Sequence, residues 1–314
     1  MAVLCTGSVA IDHIMVYRGR FKDVILPDRL HVLNVSFYLP ELKHSFGGTA
    51  ANIAFNLRQI GEEPIVLATV GAHDFAEYAG WLEASGISRR HILGLEGEAT
   101  AGAYIMTDLD DNQIAGFHAG AMSRAHEAEL ARVDEAYELA FVSPNGKRAM
   151  QENARALKAA GKRVLIDPGQ GLPLFERDEL IEFIEGGELL FANDYEWSLV
   201  LEKTGLAERE ILSRVGAAVV TLGERGSRIL ERGRAAREIA SVPARELVDP
   251  TGCGDAYRAG FAHGLARALP LASCARIGSV MGALLAERHG TQSLTLAPGE
   301  LAAHYERAYG EPLR

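Results

Sequence analysis

The sequence predicts an α/β fold built on a doubly wound, mostly parallel sheet, and three observations predict it. Short aliphatic or β-branched runs recur along the chain, stretches of helical spacing separate them, and glycines stand where strands would hand over to helices. The runs are continuous rather than alternating, which marks strands buried on both faces. At 314 residues, 48% apolar and 24% charged, the chain can bury a large core. No internal repeat, low-complexity tract or linker interrupts it, so residues 1–314 read as a single α/β domain.

Ala2–Cys5, ending at Gly7, is the first strand; the opening MAVLCTGSVAID has no basic start and reads as that strand rather than as a leader. Ala50, Ile53, Ala54, Leu57 and Ile60 sit at helical spacing and stop at Gly61. Ile65–Val70 is a second strand closed by Gly71, and Asp74 reads as the N-cap of a helix that Gly86 follows. Leu139–Val142, Arg163–Ile166, Leu189–Phe191 and Ala217–Leu222 repeat the strand type. Two segments break the rhythm. Leu30–Phe46 carries Val32, Val35, Phe37 and Leu39 in loose alternation, and Thr100–Phe117 alternates on both sides of the Asp108–Asn112 turn signal. Both read as antiparallel strands outside the main sheet, a small β lid drawn from about 13–46 and 99–119. Such a flap suits chemistry that must exclude water.

The formal charge of −10 argues against a nucleic-acid partner, because phosphate contacts need clustered Lys and Arg. A single nucleotide stays open, since backbone N–H groups and a metal can hold it. Cys5, Cys253 and Cys274 form neither a disulfide framework nor a C-x-x-C pair, so a reducing compartment is expected. No run approaches the ~18 apolar residues of a membrane span, and the expected location is the cytoplasm.

The strongest local signal is Asp249-Pro-Thr-Gly-Cys-Gly-Asp255-Ala-Tyr-Arg-Ala-Gly260, opening a helix with Ala256, Ala259, Gly260, His263 and Gly264 at helical spacing. Glycines before a helix start leave the first N–H groups uncovered, and with the helix dipole these make an anion site. An Asp at its mouth would repel phosphate, but it makes sense as a general base beside a transferring phosphoryl group. An ordinary Asp cap with a glycine turn explains the same residues equally well.

Gly47-Gly48-Thr49-Ala50-Ala51-Asn52 opens another helix, where glycines admit a ligand and Asn52 can bond vicinal hydroxyls; a solvent-facing Asn is the bland alternative. Gly7, Ser8 and Asp12 follow the first strand, where open α/β sheets place their ligands, and taken alone they fit a surface turn better. Asn193 and Glu196 share one face of a helical turn and can hold the water shell of Mg²⁺. Thr221-Leu-Gly223-Glu-Arg-Gly226 suits a nucleotide edge or a tight hairpin turn. A Walker A motif, a full dinucleotide fingerprint and a kinase H-R-D loop are all missing from the sequence.

In their order along the chain, GSVAID, GGTAANIAFNLRQIG, NDYE, TLGERGS and DPTGCGDAYRAG resemble the ribokinase-like (PfkB-type) family of sugar and nucleoside kinases. Within it the chain resembles bacterial adenosine kinase most, through GRF-x4-LP, SFYLPEL, FHAGAMS, NDYEW, DPTGCGDAYRAGF and GTQ. The resemblance implies ATP-dependent phosphorylation of a purine nucleoside at its ribose 5′-hydroxyl. It implies Asp255 as base, with the N–H groups of Gly252, Cys253 and Gly254 as the anion hole. Asp12 and Asn52 would bind ribose hydroxyls, Gly48 would lie against the sugar, and Ser8, Ser36, Phe117 and Gln170 match positions lining the nucleoside pocket. Asn193 and Glu196 would organise Mg²⁺, Thr221, Gly223 and Gly226 would contact ATP, and a monovalent cation such as K⁺ would sit near Asp249 and Thr251.

Two positions depart from the family pattern. Cys253 replaces a small aliphatic residue, which matters little if only its N–H acts. Gly102-Ala103 stands where bulkier residues, including a base-stacking Phe, are usual, which widens the purine pocket and favours a broader nucleoside kinase accepting inosine or guanosine. A ribose or fructose-phosphate kinase is the rival within the family; Arg18, Arg20, Lys22 and Lys43 could serve a sugar phosphate but read as solvated charges. A nucleoside-binding protein without catalysis is the rival outside it, opposed by Asp255 and the Asn193/Glu196 pair. The lid strands, with Val32, Phe37 and Leu39, suggest a homodimer.

Overall fold

The computed structural model describes residues 2–26, 31–32, 34–110 and 112–313. Leu30 and Leu33 of the first expected lid segment, Asp111 of the turn and Pro27 of the GRF-x4-LP stretch lie outside the described residues.

A nine-stranded sheet forms the centre. Its parallel part contains β1 (Ala2–Thr6), β4 (Glu63–Gly71), β5 (Ile92–Leu95), β8 (Leu139–Val142), β9 (Arg163–Ile166), β10 (Leu189–Asn193) and β11 (Ala217–Thr221). Antiparallel β12 (Ser227–Glu231) and β13 (Arg237–Ile239) extend one edge, giving the order β13-β12-β11-β10-β9-β8-β1-β4-β5. Strands β1, β4 and β8 to β11 are buried on both faces, as their unbroken apolar runs require. Val3, Cys5, Phe141, Leu165, Phe191 and Val219 meet α1 (Thr49–Gln59), α2 (Ala76–Ala84) and α7 (Cys253–Ala266). Leu4, Ala140, Val142, Ile166, Leu190 and Val220 face the opposite way, toward α3 (Lys147–Ala159), α4 (Arg177–Ile184) and α5 (Asp194–Thr204). A third apolar cluster joins α8 (Leu271–Ala286) to α9 (Glu300–Tyr309).

After β1 the chain runs outward to β4 and β5, then returns to β8 on the other side of β1. The order reverses beside β1, and open sheets bind ligands at the carboxyl ends of strands at such a switch.

The segments expected to form a lid contribute to a separate four-stranded sheet of order β3-β2-β6-β7, with β2 Ala10–Val16, β3 Glu41–Gly47, β6 Ala101–Thr107 and β7 Gln113–His118. The β6–β7 hairpin matches the expected alternation around Asp108–Asn112. The strand expected over Leu30–Phe46 is confined to Glu41–Gly47, and residues 34–39 form none. There Phe37 packs its ring on Tyr17 and Phe21, with centroids 4.9 and 5.4 Å away, so the alternation reflects ring packing rather than pairing. The partner of β3 is β2, which carries Asp12 and His13 and so lacks an apolar signature. Asp74 is not the cap of α2, a position held by Phe75. Its carboxylate instead accepts the Thr100 N–H at 2.8 Å and the Thr100 hydroxyl at 2.6 Å, fixing the chain just before β6 to the loop after β4.

Candidate active site

The helix α7 begins at Gly252, whose φ of +80° is a left-handed conformation that favours glycine. A Cβ there would lie 2.9 Å from the Thr291 side chain, so glycine is required twice over. The Cys253 N–H makes a long 3.3 Å bond to the Pro250 carbonyl. Among the described residues the Gly252 and Gly254 N–H groups have no partner, which leaves donors at a positive helix end. Asp255 stands in this first turn. It is partly exposed, and desolvation pushes its carboxyl up to about 7 against the pull of Arg258 and the Asn52 hydrogen bond.

Four elements converge on Asp255. Asn52, from α1, donates Nδ2 to Asp255 Oδ2 at 2.9 Å. Arg258, one turn along α7, is buried and ion-paired through Nε to Asp167 Oδ2 at 2.7 Å, just past the end of β9. Glu196, from α5, adds negative charge that opposes ionisation of Asp255. One buried cation therefore stands among three carboxylates, an arrangement that holds Asp255 ready to accept a proton near neutrality.

Asn193 and Glu196 are spaced three apart because they form a capping box at the start of α5: Asn193 Oδ1 accepts from Glu196 N at 2.7 Å and Glu196 Oε2 accepts from Asn193 N at 2.8 Å. Burial raises the Glu196 carboxyl and the neighbouring Asp167 raises it further. One carboxylate oxygen remains without a hydrogen bond among the described residues, so the pair fits a Mg²⁺ ion held through water, whose charge would relieve that crowding. Thr221 pairs with Asn193 on the adjacent strand, and Gly223 (φ +60°) and Gly226 (φ +93°) follow in a tight turn. A Cβ at Gly226 would collide with the Ile239 carbonyl. Asp249 accepts the Thr251 N–H at 2.9 Å and the Gly290 N–H at 3.0 Å. Burial alone would raise it, but these bonds hold it below the usual carboxylate range. Both oxygens are thus engaged within the fold, although each can accept more.

Asp12 faces the same side of the lid sheet as Ser45, Ala103 and Phe117. Burial raises its carboxyl, opposed by the Ala103 backbone, and no side chain among the described residues bonds to it. A Cβ at Gly47 would lie 3.2 Å from Asp12 Oδ2, placing this acid beside the glycines that open α1. Gly48, at φ +93°, presses on the backbone of Ser8 and Ala10, so its lack of a side chain already has a cause inside the fold. The Ser8 hydroxyl is buried and accepts the Thr49 N–H at 3.0 Å, a role at the start of α1. Phe117 is 57% exposed, and Ser36 and Gln170 are exposed. Five further residues have no marked role in the sequence: Asp167 and Arg258, paired beside Asp255, and Gln292, Tyr78 and Trp81, where Gln292 bonds Asn52 and is itself bonded to Tyr78 and Trp81. Arg258 and Gln292 lay inside quoted motifs, and an Asp following a strand end was the available signal for Asp167.

The family model for pfkB family carbohydrate kinases matches residues 3–297. A nucleoside kinase from Methanocaldococcus jannaschii is 31% identical over 294 residues, covering 93% of this chain and 92% of that one. The Burkholderia thailandensis nucleoside kinase in complex with inosine superposes with a TM-score of 0.87 at 38% identity, over 99% of both chains. Its complex with ADP-inosine gives 0.85 at 40% identity, over 99% of this chain and 97% of that one. An adenosine kinase from Sinorhizobium meliloti, 22% identical, shares the fold (TM-score 0.76, 98% of each chain). No helix among the described residues is long and apolar enough to cross a membrane.

Proposed function

The chain belongs to the pfkB family of carbohydrate kinases, and from that premise we propose that it transfers the γ-phosphate of ATP to the ribose 5′-hydroxyl of a purine nucleoside. The observation that carries this reading is Asp255 in the first turn of a glycine-led helix, its carboxyl raised to about 7 and bonded to Asn52 of the helix that GGTAAN opens. Asp255 accepts the hydroxyl proton, the 5′-oxygen bonds to the γ-phosphorus, and the bond to the bridging oxygen breaks to release ADP. The Gly252, Cys253 and Gly254 N–H groups face the charge that develops; a donor of this kind is typically worth about 3 kcal/mol. Arg258, held by Asp167, supplies a fixed positive charge just behind them. Mg²⁺, held through water by Asn193 and Glu196, would neutralise charge on the phosphates. Thr221, Gly223 and Gly226 border the nucleotide, and K⁺ near Asp249 and Thr251 would steady the loop before α7.

Asp12 and Asn52 are the sugar-binding pair, with Phe117 on the Asp12 face of the lid. Ala103 leaves room opposite Phe117, whereas Gly102 pairs with His118 and a Cβ there would meet the Ile11 carbonyl at 2.6 Å, so its size serves the sheet itself. The Burkholderia relative binds inosine, and with the small Ala103 this extends the substrate range to adenosine, inosine and guanosine. Lys43 stands on the same lid face as Asp12, which favours a phosphorylated sugar as the second reading. ADP release measured with adenosine, inosine, guanosine, ribose and fructose 6-phosphate tests both. The nucleosides are expected to dominate kcat/KM, and a preference for the sugar phosphate would overturn the proposal. Asp255→Asn is expected to lower kcat by about 10²- to 10⁴-fold with nucleoside affinity nearly unchanged, and a variant of near-normal kcat would remove the base assignment.

A further inference from the structure

Behind Asp255 runs a chain of hydrogen bonds whose direction is fixed at both ends. Trp81, on α2, donates its indole N–H to Gln292 Oε1 at 2.9 Å. Gln292, in the loop between α8 and α9, donates through Nε2 to Asn52 Oδ1 at 3.1 Å and to the Tyr78 hydroxyl at 2.5 Å. Tyr78 in turn donates its hydroxyl hydrogen bond to the Gly47 carbonyl at 2.7 Å. An indole N–H can only donate and a carbonyl can only accept. Trp81 therefore holds the oxygen end of the Gln292 amide, while Tyr78, its proton already used on Gly47, can only accept from the nitrogen end. Gln292 has one orientation. Asn52 must then accept from Gln292 through Oδ1, which turns Nδ2 toward Asp255. Asn52, Tyr78 and Gln292 are all buried, so water does not substitute for these partners.

We propose that Gln292 is a positioning residue for phosphoryl transfer: locked by Trp81 and Tyr78, it fixes the amide of Asn52 so that Asp255 meets an N–H and never the amide oxygen. The inference rests on Asp255 being the general base. The other charged groups facing Asp255 are Arg258 on its own helix, Asp167 beyond β9 and Glu196 on α5; the two acids disfavour its charge and the arginine favours it. The Asn52 N–H adds to the arginine's side of that balance. If the lock on Asn52 is released, its oxygen can turn toward the carboxylate, and the charged form loses a donor and gains a repelling dipole. The base then needs a higher pH to act.

The test is the pH dependence of nucleoside kcat/KM in the intact enzyme, for wild type, Gln292→Met and Trp81→Phe. Methionine keeps the volume and gives up both ends of the amide, while phenylalanine keeps the ring beside Phe55 and removes only the N–H. The expected result is an acid limb moved up by about one pH unit in Gln292→Met, a smaller move in the same direction in Trp81→Phe, and an unchanged KM for ATP. A purely structural role would lower the rate by the same factor at every pH and leave the midpoint alone. Should Gln292→Met fail to fold, the Trp81→Phe midpoint decides. Unmoved midpoints with an inactive Asp255→Asn overturn the role of Gln292 alone, whereas an active Asp255→Asn overturns the base reading on which it stands.

Discussion

A carboxyl group pushed from 3.8 to about 7 by burial is charged at neutral pH only at a cost to the folded state. In the unfolded chain Asp255 titrates normally. Below pH 3.8 it is neutral in both states, and from there up to about 7 deprotonation favours unfolding, so stability falls across that window as pH rises. Above it the full cost is present. Asp255→Asn keeps an oxygen that can accept from Asn52 and removes the charge, so it is expected to be the more stable protein near pH 8. Its melting temperature should exceed that of wild type by a few degrees there, with the gap closing toward pH 4. Thermal melts of both proteins over that range check this, and a gap that does not vary with pH would show that Asp255 is paired well enough to carry no penalty. Cys253 makes the contrast: burial pushes its thiol up to about 11, so it stays protonated, and what it can offer is its backbone N–H, held only by the long 3.3 Å bond to Pro250.

The two glycine-led helices were legible as elements because their information is local: a glycine pair, then small residues at helical spacing. Strand β2 was not, since Asp12 and His13 interrupt its apolar pattern and only pairing with β3 and β6 makes it a strand. In the sequence the Asn193–Glu196 spacing points to metal binding, and the structure adds a capping box as an independent reason for the same three-residue interval. Sequence could not reveal the surroundings of Asp255, because Asn52 bonds it from α1, Asp167 and Glu196 act on it by charge from the end of β9 and from α5, and Gln292 reaches it only through Asn52. Within the lid the same principle places Asp108, a turn residue in sequence, at the centre of the element. Its Oδ2 accepts the Phe21 N–H at 2.8 Å, and its Oδ1 accepts the N–H groups of Asp110 and Asn112, both at 2.9 Å. Desolvation would raise this carboxyl, but those bonds outweigh it and hold it down to about 2, so the tie persists throughout the working pH range. Asp108→Ala is expected to loosen the lid, raising KM for nucleoside about fivefold or more while kcat and the melting temperature change little. Steady-state kinetics with a thermal melt decide it. A matching fall in kcat would mean the lid also aligns the reacting groups.

At the scale of the molecule, α1 and α7 are joined at both ends. Near their starts Asn52 meets Asp255, and beyond the end of α1 the fully buried Glu62 meets His263 of α7 at 2.8 Å and Arg267 just after it. The helices run side by side in the same direction, so their glycine-led starts are held at a fixed separation. Small residues permit the approach, with Ala50, Ala51, Ala54, Ala259 and Ala262 all buried on one side of the sheet. Burial alone would push Glu62 up, but hydrogen bonds from His263 and Arg267 outweigh it and bring the group down to about 2. A carboxylate lowered in this way contributes stability that is complete above its ordinary value of 4.5 and is lost as pH falls toward about 2. Glu62→Gln leaves the Arg267 guanidinium beside a neutral amide, and removing one partner of a buried pair is costly. The variant is therefore expected to melt several degrees below wild type at neutral pH, with the two curves converging between about pH 4.5 and the acid limit. Melts in a pH series supply the check. A gap that stays constant down to pH 3 would assign the loss to packing of the Glu62 side chain and not to its charge, and the far-end tie between the two helices would then be steric.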